Sequence, residues 1–244
     1  VLFRSPGLPV ELRPRFGRHP AGDRRLRRRF GRAGLQHGQR SSHFTTSSDH
    51  AHSLGGRRAA QRADGIPIHT GGGGFAVRAL LAEYGGRIVP GDVYILSDPY
   101  VAGGNHLPDW VVARPIFIGE DAPALAGFCC NRAHQSDIGG GLAGTYNPEA
   151  TEIWQEGIRL PVMKLVDRGE LREDLWKLLL LNSRTAEMLD GDLRAMLGST
   201  RVGGERVAAL AAELGLSSYF EHLAGVLDHR SEEHTSELQS QFRI

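Results

Sequence analysis

The chain has 244 residues, of which 40% are hydrophobic, and its formal net charge is +1. It contains no run of about 18 apolar residues, and it lacks the basic start and apolar stretch of a signal peptide, so we expect a cytoplasmic protein without a membrane partner. The two cysteines, Cys129 and Cys130, are adjacent in an apolar run. This arrangement predicts reduced core residues rather than a disulfide framework.

The net charge conceals a strong asymmetry between two parts of the chain. Residues 1–62 hold 14 Arg and 3 acidic residues, a net charge of +11, whereas residues 63–244 hold 15 basic and 25 acidic residues, a net charge of −10. A basic arm of this kind is typical of a nucleic-acid-binding protein, and a genuine disordered arm is one interpretation of it. The ends of the chain favour another interpretation, in which no nucleic acid is bound.

Both ends resemble a translated sequencing adapter: residues 230–240 match the adapter itself and residues 1–5 its reverse complement. Residues 6–62 are rich in Arg, Gly, His and Ser and have no persistent apolar period, as expected of a GC-rich gene translated in the wrong frame. A fragment of this kind is predicted to be inactive by itself. We therefore expect three parts, namely an adapter-derived and frameshifted segment at 1–62, a partial enzyme domain at 63–229 and an adapter-derived tail at 230–244.

The enzyme-like part begins with a glycine run at 71–74, followed by helical spacing over 75–84. Pro115, inside the second strand predicted downstream, indicates a sheet edge or a bulge. From Leu171 onward, leucines and methionines recur at helical spacing. Strands thus precede helices, which predicts an α+β fold with a mainly antiparallel sheet, glycine-rich loops and a helical C-terminal part. The remaining elements predicted are strands at 92–97, 110–118, 124–133 and 162–166 and a short helix at 149–157.

Two His-x-x-Asp units, His106 to Asp109 and His134 to Asp137, flank the predicted hairpin. With the hairpin turn centred near residue 121, position 106 faces about 136 and position 109 about 133, so both units reach one end of the sheet. A single unit of this kind is more often a pair of exposed surface residues without a function, but two converging units bring two imidazoles and two carboxylates together. Neutral imidazole and carboxylate are suitable ligands for Zn²⁺ or Mn²⁺, and the four residues are therefore a candidate metal site.

Four further positions are weaker candidates, each with an ordinary structural alternative. His69 is a site residue or a satisfied loop histidine, and Asp98 is a site residue or a turn former that accepts backbone N–H groups. Glu156, four residues after Glu152, faces a site or lies on a solvated helix face. Arg159 holds a substrate carboxylate or phosphate, or lies at the surface. The glycine run lacks the Lys-Ser/Thr pair of a phosphate loop, so no Walker site is expected.

Taken together, these motifs resemble the hydantoinase B/oxoprolinase family over about 63–229. The chain departs from the family pattern where Asn105 replaces the usual Thr, and where Gln135 replaces a second His or an aromatic residue. The second departure leaves His134 as the ligand. The matching pieces, in family order, are Ile66-Pro-Ile-His69, Pro90-Gly-Asp-Val93, Asp98-Pro-Tyr100, Gly103-Gly-Asn-His-Leu-Pro-Asp109, Ala133-His-x-x-Asp-Ile-Gly-Gly140, Glu152 to Arg159, Asn182-x-Arg184 and Gly191-Asp-Leu193.

The resemblance implies one subunit of an ATP-dependent cyclic amidohydrolase, which opens a cyclic amide such as 5-oxoproline or a hydantoin. A hydantoinase A-like partner is expected to bind ATP and Mg²⁺ and to phosphorylate the amide oxygen before metal-activated water attacks. The related acetone- and acetophenone-type carboxylases are the alternative within the resemblance. From a different class, a metal-stabilised scaffold without chemistry of its own is also compatible with the motifs.

Within this resemblance the candidate residues receive roles. A further acidic ligand of the family is expected upstream of residue 63 and is assigned to no residue. The expected roles are catalysis for His69, Asp98 and Glu156, metal ligation for His106, Asp109, His134 and Asp137, and substrate binding for Asn105, Gly140 and Arg159.

Overall fold

The computed structural model describes residues 47–52, 58–61, 67–119 and 121–225. The tail predicted at 230–244 and most of the segment predicted at 1–62 lie outside these ranges. Within them a single sheet runs in the order β2-β1-β5-β4-β3-β6-β7, and every neighbouring pair of strands is antiparallel. The strands are β1 (Ser47–His52), β2 (Arg58–Gln61), β3 (Val93–Leu96), β4 (Asp109–Ile118), β5 (Ala124–His134), β6 (Met163–Asp167) and β7 (Glu170–Leu171).

Helices follow or flank the strands, which confirms the predicted α+β class. No helix in the described part of the chain is long and apolar enough to cross a membrane. The helices are α1 (Pro67–Tyr84), α2 (Glu173–Leu181) and α3 (Ala186–Leu214), with short 3₁₀ helices at Gly85–Arg87 and Ile153–Gln155 and a further helical stretch at 216–225.

Helices cover both faces of the central strands, so β3 and β4 are buried along almost their whole length. Successive side chains of a strand point to opposite faces, and separate apolar clusters form on the two sides; a third cluster, which includes Ile116, Cys129 and Tyr219, lies toward the turn of the β4–β5 hairpin. Cys129 and Cys130 are buried in this core and are not joined in a disulfide, as predicted. The α1 face is made of Ala76, Val77, Leu80, Tyr94, Leu96, Val111, Ala113, Phe128 and Cys130; the α2–α3 face includes Val93, Ile95, Trp110, Val112, Leu175, Leu179, Leu193 and Met196.

The hairpin of β4 and β5 confirms the prediction, with a shift of one residue in its register. Next to the turn, Ile118 pairs with Ala124 and Phe117 with Leu125, as a turn centred at 121 requires. The register then shifts between Ile116 and Phe117, so Ala126 has no partner and the far end pairs Asp109 with His134. This bulge lies just beyond Pro115, and it decides which side chains share a face because residues of a strand alternate.

Two predicted helices are wrong in extent. Helix α1 begins at Pro67 rather than 75 and runs through the glycine run, although each glycine disfavours a helix by roughly 1 kcal/mol relative to alanine. The absence of side chains lets the helix pack closely on the sheet, and this packing offsets the penalty. At Gly72 a side chain would overlap the guanidinium of Arg132. The helix predicted at 149–157 is only a 3₁₀ turn at Ile153–Gln155, because Gly157 adopts a φ of +140° that ends it.

Candidate metal centre

The site lies where β4 begins, β5 ends and α1 starts. Asp109 is the first residue of β4, and it pairs with His134, the last residue of β5. Residues two apart share a face, so Asp109 and Val111 point toward α1 together with their strand partners His134 and Arg132. His69, the third residue of α1, meets them from the helix.

The carboxylate of Asp109 is the centre of the site, and its side chain is fully buried. Its Oδ1 lies 2.7 Å from Nε2 of His106 and 3.0 Å from Nδ1 of His134. Its Oδ2 lies 2.9 Å from Nε2 of His69 and accepts a hydrogen bond of 2.7 Å from Nδ2 of Asn105. Three imidazoles and one amide therefore converge on a single carboxylate.

These contacts keep Asp109 ionised. Burial by itself would raise the pKa of the carboxyl group, but the hydrogen bonds from His106, His134, His69 and Asn105 outweigh it and hold the pKa of Asp109 well below its ordinary value. A buried carboxylate that remains negative at neutral pH is suited to bind a cation or to hold imidazoles in place.

The imidazoles of His106 and His134 form the accessible side of the site. Their rings lie 5.1 Å apart, and their side chains are 45% and 39% exposed, in contrast to His69 at 5%. Nε2 of His134 is 3.2 Å from Oγ1 of Thr145. Thr145 has a φ of +61°, a strained conformation for a β-branched residue, and such strain is found mainly where function requires it.

The donor set fits a divalent cation. One nitrogen each of His106 and His134 and one oxygen of Asp109 lie within 4.8 Å of one another, and two imidazoles with one carboxylate form a ligand set used for zinc and manganese. Nδ1 of His69, the ring nitrogen that does not contact Asp109, is buried and has no hydrogen-bond partner among the described residues.

Asp137, the fourth predicted ligand, lies away from this cluster. Its oxygens accept hydrogen bonds from the backbone N–H groups of Gly139, Gly144 and Arg184, and its Oδ2 is 3.1 Å from Nη1 of Arg184. Burial by itself raises the pKa of Asp137, but these hydrogen bonds outweigh it and hold the pKa below its ordinary value, so the carboxylate stays ionised and its charge is paired with Arg184. The chain leaves the sheet after His134, which separates the two halves of the second His-x-x-Asp unit.

Asp98 and Arg159 form a second polar group. Asp98 accepts backbone N–H bonds from Tyr100 and Val101, as predicted of a turn former, and it also accepts a hydrogen bond from Nε of Arg159. Burial raises the pKa of Asp98, whereas Arg159 and the two backbone groups lower it to a value below the ordinary one. Arg159 is 30% exposed and lies over the ring of Trp154, so its guanidinium faces solvent.

Glu156 and Gly140 lie together near the glycine-rich loop after β5. The N–H of Gly141 donates to the carbonyl of Gln155, and a side chain at Gly140, where φ is +82°, would overlap the backbone of Gln155 and Glu156. This close approach explains the glycine in structural terms.

Sequence reasoning missed Arg132 and Thr145. Arg132 is fully buried, and its Nη1 donates to Oδ1 of Asn105 at 3.1 Å. The available signal was a charged residue, Arg132, within a mainly apolar predicted strand and close to the His134 unit. Thr145 carries no comparable signal, because its contact with His134 depends on the path of a loop.

Comparison with known proteins identifies the family. The fold and site define an α+β protein with a buried aspartate surrounded by histidines. The family described as Hydantoinase B/oxoprolinase matches residues 29–242, a range that extends into both terminal segments discussed above. The chain therefore belongs to the Hydantoinase B/oxoprolinase family, and the resemblance inferred from its motifs is confirmed.

Relatives with assigned names include amide-cleaving enzymes. The chain is 34% identical over 184 residues to caprolactamase subunit beta of Pseudomonas jessenii, covering 75% of this chain and 31% of that subunit. It is 31% identical over 165 residues to 5-oxoprolinase 1 of Arabidopsis thaliana, covering 63% of this chain and 13% of that enzyme. The chain thus spans about a third or less of the length of these relatives.

Solved structures share the fold. The crystal structure of ATP-dependent caprolactamase from Pseudomonas jessenii matches with a TM-score of 0.71 and 30% identity, over 79% of this chain and 32% of that chain. The nucleotide-free structure of acetone carboxylase matches with a TM-score of 0.66 and 21% identity, over 75% of this chain and 24% of that chain. At this identity the second match bears on the fold alone.

Proposed function

We propose that the parent protein of this chain is the B-type subunit of a cytoplasmic, ATP-dependent cyclic amidohydrolase that opens a cyclic amide of the 5-oxoproline, hydantoin or lactam type. The observation that carries the proposal is the buried Asp109 carboxylate with His106 and His134 on its accessible side. Family membership and the names of the caprolactamase and 5-oxoprolinase relatives support the substrate class.

In this proposal His106, Asp109 and His134 hold a Zn²⁺ or Mn²⁺ ion. When bound, the ion supplies Lewis acidity and makes water a nucleophile at neutral pH. Asp109 provides the negative charge, while His69 and Asn105 hold its second oxygen and so fix the direction of the first. The partly exposed imidazoles leave one side of the site open to substrate.

Asp137 has a different role in the proposal from the one its spacing predicts. Its contacts with Arg184 and with two glycine N–H groups anchor the loop that carries Thr145, and Thr145 in turn holds His134. Asp137 therefore acts on the shape of the site rather than as a ligand.

Arg159 and Gly140 are the proposed substrate contacts. Asp98 holds Nε of Arg159, so the remaining guanidinium N–H groups are directed outward beside Trp154 and can bind a carboxylate or phosphate. Glu156 lies on the same loop system and is proposed to handle a proton during ring opening.

A hydantoinase A-like partner subunit supplies the activation step in this proposal. An unstrained amide is a poor electrophile, and transfer of the γ-phosphoryl group of ATP to its oxygen, with release of ADP, makes the carbon reactive. Water then adds to that carbon, and the carbon–nitrogen bond breaks as the ring nitrogen takes up a proton. A further water molecule releases phosphate and leaves the open-chain amino acid.

The test uses the intact parent subunit together with its partner. Ring opening of 5-oxoproline, hydantoin and caprolactam should require ATP, should not require bicarbonate, and should fall at least 100-fold in H106A and H134A. H222A is the matched control, because His222 lies in the helical stretch at 216–225 and, among the described residues, bonds with Ser218 rather than with any part of the site. ATP- and bicarbonate-dependent carboxylation of acetone would overturn the amidohydrolase, and full turnover by H134A would favour the scaffold.

A further inference from the structure

Arg132 is the least expected charge in the molecule. It lies in the middle of the sheet, on β5, and its side chain is fully buried. Burying a cation costs several kcal/mol unless hydrogen bonds and an opposite charge compensate, and an apolar residue of similar size would avoid this penalty. The cluster on the same face is otherwise apolar, so packing alone does not explain an arginine here.

Among the described residues, the guanidinium of Arg132 donates two hydrogen bonds. Nη1 donates to Oδ1 of Asn105 at 3.1 Å, and Nη2 donates to the carbonyl oxygen of Gly72 at 3.3 Å. The opposite charge near Arg132 is the carboxylate of Asp109. Burial lowers the pKa of Arg132, and the negative charge of Asp109 raises it by a smaller amount. Because arginine keeps its proton throughout the physiological range, the guanidinium is a permanent donor.

This donor fixes the orientation of the Asn105 amide. A guanidinium has no acceptor, so the Asn105 atom that faces Arg132 is the oxygen, and the NH₂ group faces the other way. That NH₂ group donates to Oδ2 of Asp109 at 2.7 Å. The chain of contacts therefore runs from Arg132 through Asn105 to the oxygen of Asp109 that does not face His106 and His134.

The glycine run of α1 provides the space for this arrangement. At Gly72 a Cβ atom would overlap Nη1 of Arg132, so any larger residue displaces the guanidinium. The carbonyl of the same glycine accepts the bond from Nη2. The position of the Arg132 guanidinium therefore depends on a glycine at residue 72 of α1.

We infer that Arg132 is a positioning residue of the metal site, which acts through Asn105 on Asp109 and is seated in the space left by Gly72. This inference rests on the metal site proposed above. It assigns Gly72, within the glycine run, an indirect role in metal binding through Arg132.

The experiment measures the affinity of the intact parent subunit for Mn²⁺ and Zn²⁺ by calorimetric titration, at a temperature where circular dichroism shows each variant folded. R132K and N105A should each weaken binding by about 10- to 100-fold, the effect typical of residues that orient metal ligands. The double variant R132K/N105A should bind metal no more weakly than the single variant with the lower affinity, because both substitutions interrupt the same series of hydrogen bonds. G72A, which keeps the guanidinium but displaces it, should weaken binding similarly.

Two controls separate positioning from general damage. R114K changes another arginine of the same hairpin, five positions along β4 from Asp109, and should leave affinity unchanged. G85A adds a methyl group where no atom lies within 4 Å, and should also leave it unchanged. Multiplicative losses in the double variant, unchanged affinity in R132K, or an equal loss in R114K would each overturn the inference. Failure of the unsubstituted parent subunit to bind either metal would instead overturn the metal site, and the inference with it.

Discussion

Replacing Asp109 with Asn tests whether the carboxylate organises the fold as well as the site. The substitution keeps the shape and one oxygen but removes the charge that compensates Arg132. His106 and His134 are partly exposed and can bond with water, whereas the 5% exposed His69 cannot. The main losses are therefore one buried hydrogen bond and the partner of a buried cation.

The magnitude follows from these two losses. Leaving a buried charge without its partner costs about 3–5 kcal/mol, and we take the lower end, about 3 kcal/mol, because Asn105 lies between the two charges. For a chain of this size the melting temperature of D109N should fall by roughly 6–12 °C. Urea unfolding in EDTA, followed by tryptophan fluorescence, to which the buried Trp110 and Trp176 contribute, measures the difference without any contribution from metal.

The matched control is D121N, which neutralises an exposed carboxylate in the turn of the same hairpin and should change stability by less than about 0.5 kcal/mol. The reasoning is refuted when D109N unfolds within 0.5 kcal/mol of the unsubstituted chain, because the carboxylate would then not be compensating Arg132.

Three further predictions concern other contacts. Because the folded pKa of Asp137 is lowered, the ionised carboxylate stabilises the fold above its unfolded pKa of about 3.8, and this stabilisation is lost as pH falls through the lower folded pKa. In an acid titration between about pH 5 and pH 2, D137N should therefore lose less stability than the unsubstituted chain. Equal losses of stability would contradict this. G157A should destabilise by more than about 1 kcal/mol in urea unfolding, since φ is +140° and the added methyl group meets Ile138, whereas G198A, with open space in α3, should be neutral or stabilising. T145V, which loses the hydroxyl group on His134, should bind Mn²⁺ about 10-fold more weakly in a calorimetric titration than T145S, which keeps it, and equal affinities would argue against this contact.

Periodicity in the sequence was sufficient for the strands that carry the site. Long apolar runs bounded by Gly and Pro predicted β4 and β5 to within one residue at each end. The hairpin they form brought His106, Asp109 and His134 together, as expected. What spacing could not reveal is the unpaired Ala126, because a bulge depends on packing and twist rather than on any residue type.

Identical spacing in the two His-x-x-Asp units was misleading for Asp137. In the first unit the chain enters a strand at Asp109, so both side chains stay at the sheet. In the second unit the chain leaves the strand after His134, so Gln135 and Ser136 carry Asp137 into the loop beyond the sheet. Spacing fixes the separation of two residues along the chain, but the backbone conformation between them determines where each side chain points.

The helical glycine run and Arg132 were unpredictable for a common reason. Each is unfavourable when considered alone, the glycines in a helix and the cation in a core. They stabilise each other through the close approach of α1 to β5, a contact between residues 60 positions apart in the sequence. Local propensities carry no information about such a pair.

The bulge at Ala126 also determines where the hairpin tolerates a change in length. Between the bulge and the metal site, the insertion or loss of one residue in β5 would exchange the two faces of the strand for the side chains beyond it. His134 would then point away from Asp109. At the bulge itself, one residue is already surplus to the pairing, so its removal would leave both the turn pairs and the Asp109–His134 pair in register. Single-residue deletions among relatives of this chain should therefore be found at this position and in the turn, rather than between Gly127 and His134.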